Sequence, residues 1–295
     1  MLKLEHLAEL LERNRAAASA RVKSFAIGGR KFDFNARSAV MGVINLSADS
    51  WYRESVCLSA ESAIQRGKVL ASQGADIVDI GAESTLAQAA RAGDMAQKSK
   101  LIPVIKALRA EKILVSAETY SPKVARAALE AGANILNLTG NANSKEVFKM
   151  AAAHKAAVII CYVQGKNVRA VVDFDFGTDP IEMMREYFSR QIEIAERAGV
   201  KGVFIDPGLG FYYRNLQDSA VRVRHQMNVF LNTFRLRELG YPVCHALPHA
   251  FEFFQDEVRC AEPFFAVLAA LGKTDLFRTH EVTKVKAVLE ALRAF

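Results

Sequence analysis

The sequence predicts an α/β protein of the (β/α)8 TIM barrel class. Apolar, β-branched runs of about six residues recur along the chain, each followed by a polar turn and most by a helical pattern of about 10–18 residues. Two junctions nearly repeat each other: Gln73-Gly-Ala-Asp-Ile-Val-Asp-Ile-Gly81 parallels Ala131-Gly-Ala-Asn-Ile-Leu-Asn-Leu-Thr139. In both, a helix ends on glycine, the chain turns, and a buried strand finishes near a polar tip. A third stretch, Val200 to Tyr213, takes the run Val203 to Ile205 into Asp206, Pro207, Gly208 and Gly210. A carboxylate at the C-terminal tip of a buried strand, followed by a glycine turn, is where barrel enzymes hold ligands. An open doubly wound sheet is the alternative, but it rarely needs so many regular units.

Taken in order, residues 2–18 alternate Leu with Glu, Arg and Ala, which predicts an amphipathic helix and excludes a secretory signal. This helix opens an N-terminal extension, residues 1–24, before a barrel domain of residues 25–295. Residues 24–34 alternate about Gly28-Gly29, a hairpin signal, placed to cover the barrel bottom. The barrel strands are expected at 40–45, 77–81, 113–118, 135–138, 157–162, 202–206, 242–246 and 275–279. Helices are expected at 60–73, 122–131, 180–198 and 281–294. Pro122 and Pro180 suit first turns, and Gly74, Gly132 and Gly199 suit helix ends. A basic helix, 221–237, reads as a solvated face whose arginines could also serve an anionic ligand.

Composition narrows the function only broadly. Of 295 residues, 51% are hydrophobic and 24% charged, ordinary values for a globular chain. No apolar run approaches the roughly 20 residues that span a bilayer, so no membrane partner is expected. The four cysteines, Cys57, Cys161, Cys244 and Cys260, have no metal-type spacing and suggest reduced thiols in a cytoplasmic protein. A net charge of +7 without a dense Lys/Arg block argues against a nucleic-acid groove and suits a small anion such as a phosphate ester.

In a barrel the C-terminal strand ends converge on one mouth. They carry Asn45, the Glu83-Ser84-Thr85 turn, Glu118-Thr119, Asn137, Tyr162 to Gln164, Asp206, His245 to His249, and Arg278-Thr279-His280. Singly, these have ordinary explanations: Asn45 and His280 suit caps, and Asp206 suits a turn. Together they are a costly set to bury without a ligand. Asn137 and Asp206, with Glu118, could grip a flat heterocycle edge-on, carboxylate to ring N–H and amide to carbonyl. Arg278, His280 and Asn45 could hold an anion, with or without a divalent ion.

Four motifs in order, Met41-Gly-Val-Ile-Asn-Leu-Ser-Ala-Asp-Ser50, Asp79-Ile-Gly-Ala-Glu-Ser-Thr85, Ile205-Asp-Pro-Gly-Leu-Gly-Phe211 and Arg278-Thr-His-Glu-Val282, resemble dihydropteroate synthase signatures. The resemblance covers about residue 25 to the C-terminus. It implies a pterin-binding barrel that joins a hydroxymethyl-dihydropterin pyrophosphate to p-aminobenzoate, with magnesium, in a homodimer. Carried over, it implies Asn45 near magnesium and pyrophosphate, Arg278 and His280 on the leaving pyrophosphate, and Asn137, Asp206 and Glu118 on the pterin; Gln164 is added as a further candidate pterin contact. Departures fall at Leu86-Ala87-Gln88, where the family's loop supplies an arginine, at Leu138, at Gly210-Phe-Tyr-Tyr213, and at His245-Ala-Leu-Pro-His249. There His249 stands in place of a lysine. An imidazole keeps one hydrogen bond but not an ammonium point charge, and Pro248 alters the backbone path.

The expected function is a divergent transferase of this type, with Asp206, His249, Arg278 and His280 as its catalytic set. It would move the pterin-methyl group to an acceptor that need not be p-aminobenzoate, working by leaving-group neutralisation and alignment. Two alternatives stand beside it. One is a folate-dependent methyltransferase, or a metal enzyme using His245, His249, His280 and Asp206. The other is a non-catalytic pterin-binding or partner subunit.

Overall fold

Two short strands, β1 (Phe25–Ile27) and β2 (Arg30–Phe32), pair antiparallel about Gly28 and Gly29. Both glycines have positive φ, 56° and 86°, a backbone region that side chains disfavour. The hairpin closes the floor of a barrel, with Ile27, Phe32 and Phe34 buried against Ile135, Ile159 and Phe204. The computed structural model describes residues 1–50, 52–84, 89–168, 172–177, 179–211 and 213–295.

The barrel consists of β3 (Ala39–Asn45), β4 (Ile77–Gly81), β5 (Val115–Thr119), β6 (Ile135–Leu138), β7 (Ala157–Cys161), β8 (Val203–Asp206), β9 (Cys244–Ala246) and β10 (Leu276–Thr279). All are parallel, in the order β8-β7-β6-β5-β4-β3-β10-β9. A single parallel bridge, Ile205 to Val243, brings the two ends together, with the Ile205 N–H donating to the Pro242 carbonyl at 3.1 Å. Strand β9 is shorter than the sequence suggests, and this thin seam joins it to β8.

Before the barrel come α1 (Leu4–Arg13) and α2 (Arg15–Ala18); around it lie α3 (Ala60–Ser72), α4 (Asp94–Ala110), α5 (Pro122–Glu130), α6 (Ser144–Ala153), α7 (Pro180–Arg197), α8 (Ser219–Leu236), α9 (Phe251–Phe254), α10 (Ala261–Leu271) and α11 (Val282–Arg293). Ser59, Ser121, Asp179 and Asp218 cap helix starts by accepting backbone N–H bonds. Pro122 and Pro180 open α5 and α7 as expected. The single helix expected over residues 2–18 is broken at Asn14, whose φ of −130° is not helical. Its side chain donates to the Leu10 carbonyl at 2.9 Å, replacing a ladder bond with a local one. The basic helix begins two residues earlier than expected because Asp218 caps it. Its arginines are not a uniform solvated face: Arg237 is buried against Asp275, and Arg235 pairs with Asp179 and Glu182.

The strand period positions the site. Side chains alternate across a strand, so every second residue faces the barrel interior. Ile77, Ile135, Phe204 and Leu276 form an apolar layer over the hairpin. Two residues further along the same strands stand Asp79, Asn137, Asp206 and Arg278. A polar layer therefore sits directly on the apolar one.

Candidate functional site at the barrel mouth

A cleft opens above that layer, lined among others by Asn45, Glu118, Asn137, Asp206, His249 and Arg278. Its floor is one connected network. Arg278 Nε donates to Asp79 Oδ2 at 2.7 Å, and its Nη2 pairs with Glu118 Oε2. Asn137 Nδ2 donates to the same Asp79 oxygen at 3.1 Å, and the Cys161 thiol lies 3.5 Å from Asn137 Oδ1. Asp206 accepts the Gly208 N–H at 2.7 Å, a turn that φ of +73° at Gly208 permits. A Cβ there would lie 2.5 Å from the Tyr162 carbonyl oxygen, so the glycine is required.

One guanidinium thus serves a neighbourhood of three buried carboxylates. Burial raises Glu118 to about 7 and Asp206 to about 6, against the opposing pull of Arg278. The neighbouring carboxylates push the same way. The same acids hold the Arg278 pKa above its ordinary value, against the lowering effect of its burial. Near neutral pH this floor can gain or lose a proton at little cost, which suits contact with a ligand that presents ring N–H groups.

The rim is a second cluster. His280, two residues beyond Arg278, turns its Nδ1 toward Glu262 Oε1 at 2.7 Å. His249 Nε2 lies 3.2 Å from the same oxygen and 3.3 Å from His280 Nδ1. Glu262 is fully buried and also accepts from the backbone N–H groups of His280 and Glu281 and from the Thr279 hydroxyl. Burial pushes its carboxyl up, and the His280 and His249 imidazoles more than offset this, holding it well below the usual range. Tyr52 stacks on both imidazoles, ring centroids 4.7 Å from each, and its hydroxyl donates to Glu281. Asn45 donates to Ser55 Oγ at 2.6 Å, with its Nδ2 3.4 Å from His280 Nε2.

The cleft therefore gathers Asn45, Glu118, Asn137, Asp206, His249, Arg278 and His280 at one mouth. Gln164 lies apart. Its amide clamps Asp175, donating to that carbonyl at 2.7 Å and accepting its N–H at 2.6 Å, and it also donates to the Tyr162 hydroxyl. The metal set of His245, His249, His280 and Asp206 does not form. On β9 the alternation points His245 outward, where it is buried with Nε2 2.8 Å from Thr233 Oγ1; burial lowers it to about 3. Thr85, Leu86-Ala87-Gln88 and Tyr212 lie outside the described residues.

Two residues central to these clusters were not singled out from the sequence. Asp79 lies in the middle of a fully buried strand, and an acid inside an apolar run was the available signal. Glu262 is the one charged residue of α10, otherwise Ala, Pro, Phe, Val and Leu. A lone carboxylate in so apolar a helix has to be buried and partnered.

Comparison with known proteins agrees with this fold. The family described as pterin binding enzyme matches residues 41–247. A dihydropteroate synthase from Synechocystis is 33% identical over 74% of this chain and 73% of its own length. One from Clostridium beijerinckii is 32% identical over 74% of this chain and 76% of its own. The Xanthomonas albilineans dihydropteroate synthase solved with 4-aminobenzoic acid superposes with a TM-score of 0.76 at 27% identity, covering 92% of this chain and 97% of that one. The same enzyme in complex with 7,8-dihydropteroate gives 0.72 at 25%, with the same coverage. With the barrel, its mouth and a match over well over half of the sequence, the chain belongs to the pterin-binding enzyme family.

Proposed function

We propose that the cleft binds a pterin bearing a pyrophosphate leaving group and transfers its methylene to an acceptor nucleophile. The observation that supports this most is the Arg278 network: a cation held by Asp79 and Glu118 beside the amide of Asn137. Asp206 and Glu118 accept pterin N–H groups, Asn137 meets the amide-like edge, and Arg278 with His280 faces the phosphates. In the transfer, the methylene C–O bond breaks and its electron pair leaves with pyrophosphate. The acceptor's lone pair forms the new bond, and the acceptor loses a proton. The chain's contribution is alignment and neutralisation of the departing charge.

Asn45 suits a magnesium ion. Magnesium takes oxygen ligands, commonly few from protein and the rest from phosphates and water. The Asn45 amide nitrogen is committed to Ser55, so its carbonyl oxygen would hold the ion, which would supply further neutralisation of the leaving group. His249, Phe211 and Phe251 also line the cleft. An imidazole and aromatic rings there support an acceptor other than p-aminobenzoate. By resemblance the working form is a cytoplasmic homodimer; no described helix is long and apolar enough to cross a membrane.

Calorimetric titration with hydroxymethyl-dihydropterin pyrophosphate, with and without magnesium, tests the reading. Expected are magnesium-dependent binding, its loss in Asp206→Ala, and a weakening of about 10–100-fold in Arg278→Ala, as for a hydrogen bond to a charged group. No binding by the folded protein overturns the pterin assignment. Efficient turnover of p-aminobenzoate overturns the altered acceptor.

A further inference from the structure

We infer that His249, Glu262 and His280 form a three-ligand site for a divalent transition metal, zinc or a similar ion, with its open position facing the cleft. The three ligand atoms come from separate elements: the loop after β9, the first turn of α10 and the end of β10. They nevertheless meet as a compact triangle. His249 Nε2 is 3.3 Å from His280 Nδ1 and 3.2 Å from Glu262 Oε1, and the remaining edge is 2.7 Å. Tetrahedral zinc, bound to nitrogen and oxygen at about 2.0–2.1 Å, separates its ligands by about 3.3–3.4 Å. Two edges already have that length. The third is a hydrogen bond that lengthens by about 0.6 Å when an ion replaces its proton.

The donor set fits the ion class. Two imidazoles and one carboxylate suit zinc and its neighbours, whereas magnesium and calcium prefer oxygen alone. The rings are prearranged: Tyr52 stacks on both, 18° and 27° from parallel. The carboxylate is oriented as well, with Oε2 fixed by two backbone N–H groups and a hydroxyl while Oε1 faces the imidazoles. Metal sites depend on such outer contacts to aim their ligands.

Charge argues in the same direction. Glu262 is fully buried and its ion-pair partners are the two histidines; nearby Arg259 and Lys284 are committed to Glu281. A buried carboxylate needs a compensating positive charge, and a metal ion supplies it. His249 and His280 line the cleft, while Glu262 lies behind them. Three protein ligands and one open position is the pattern of a reactive rather than a structural zinc site. The open position would take water or an oxyanion; that the oxyanion is the leaving phosphate rests on the function proposed above.

The test uses the metal alone, without pterin, so its outcome is independent of that function. The full-length protein is stripped with a chelator, reloaded with Zn2+ or Co2+, dialysed and assayed for metal. Expected are one ion per chain and, for Co2+, the strong visible absorption of a four-coordinate site. His249→Ala, which removes a rim side chain, should weaken binding at least about 100-fold, more than loss of an outer-shell partner does. His280→Ala should do the same, and His154→Ala and His225→Ala should leave affinity unchanged. Circular dichroism checks that each variant is folded. The site is refuted if the folded wild type retains no ion, or if His249→Ala binds as tightly as His154→Ala.

Discussion

Arg278 and His280 stand two residues apart at the end of one strand and enter clusters of opposite design. Arg278 is a cation set among acids, pairing with Asp79 and Glu118 and lying within the electrostatic reach of Asp206. His280 faces a single acid, Glu262, which it shares with His249. In the floor cluster burial, helped by the neighbouring carboxylates, outweighs the pull of Arg278, so Glu118 and Asp206 are pushed toward protonation. The rim cluster holds one carboxylate surrounded by donors, so its acid is pushed toward ionisation. Two neighbouring sites in one cleft therefore answer pH with opposite signs, and burial is common to both. The balance of donors to acceptors decides the direction.

The largest test of that contrast removes the centre of the rim. Glu262→Ala strands the His280 N–H, the Thr279 hydroxyl and two imidazoles, while the Glu281 N–H keeps Thr279 Oγ1 as an acceptor. Urea denaturation should show a loss of about 3–5 kcal/mol, the range for breaking a buried charged network. A loss below about 1 kcal/mol would mean that water substitutes for the carboxylate and that the rim is looser than its geometry.

A medium effect lies in the pH dependence of stability. Glu118 and Asp206 have folded values of about 7 and about 6, above their ordinary 4.5 and 3.8. Their contribution is fully present below about pH 4 and is lost as pH rises through about 6–7. Glu118→Gln should flatten that decline, on the order of 2 kcal/mol between pH 4.5 and 7.5. Glu262 has the opposite sign. Its folded value is lowered from 4.5, so its contribution is present above that value and fades only as pH falls well below it. Equal pH profiles for wild type and Glu118→Gln would remove the floor half of the comparison.

The smallest expected effect is His249→Ala. It removes one ring stack and one hydrogen bond at a side chain 15% exposed, and should lower stability by about 1 kcal/mol in the same denaturation experiment. A loss matching that of Glu262→Ala would show that the rim folds as one unit rather than around its carboxylate.

Much of the floor was legible because strand residues are read by a period of two. Once 135–138 and 203–206 are strands, the positions of Asn137 and Asp206 on the inner face follow. The rim was not legible to the same degree. Glu262 sits in a helix far along the chain from Tyr52, and no local pattern links them. His245 and His249 look equivalent in sequence, yet one packs under α8 and the other faces the cleft. Gln164 shares a strand end with the site residues, but the following segment captures its amide.

The sequence by itself determined the barrel, its order of strands and helices, the hairpin floor and the family. Each is written in short-range signals: period-two runs, caps, Pro and Gly punctuation, and motifs that span a single turn. Only the tertiary structure decided which acid Arg278 and which acid His280 would meet. Those partners, Asp79, Glu118 and Glu262, are brought together by barrel closure and by the packing of α10 behind β10. Such contacts depend on how whole elements are placed in space, which no local stretch of residues encodes.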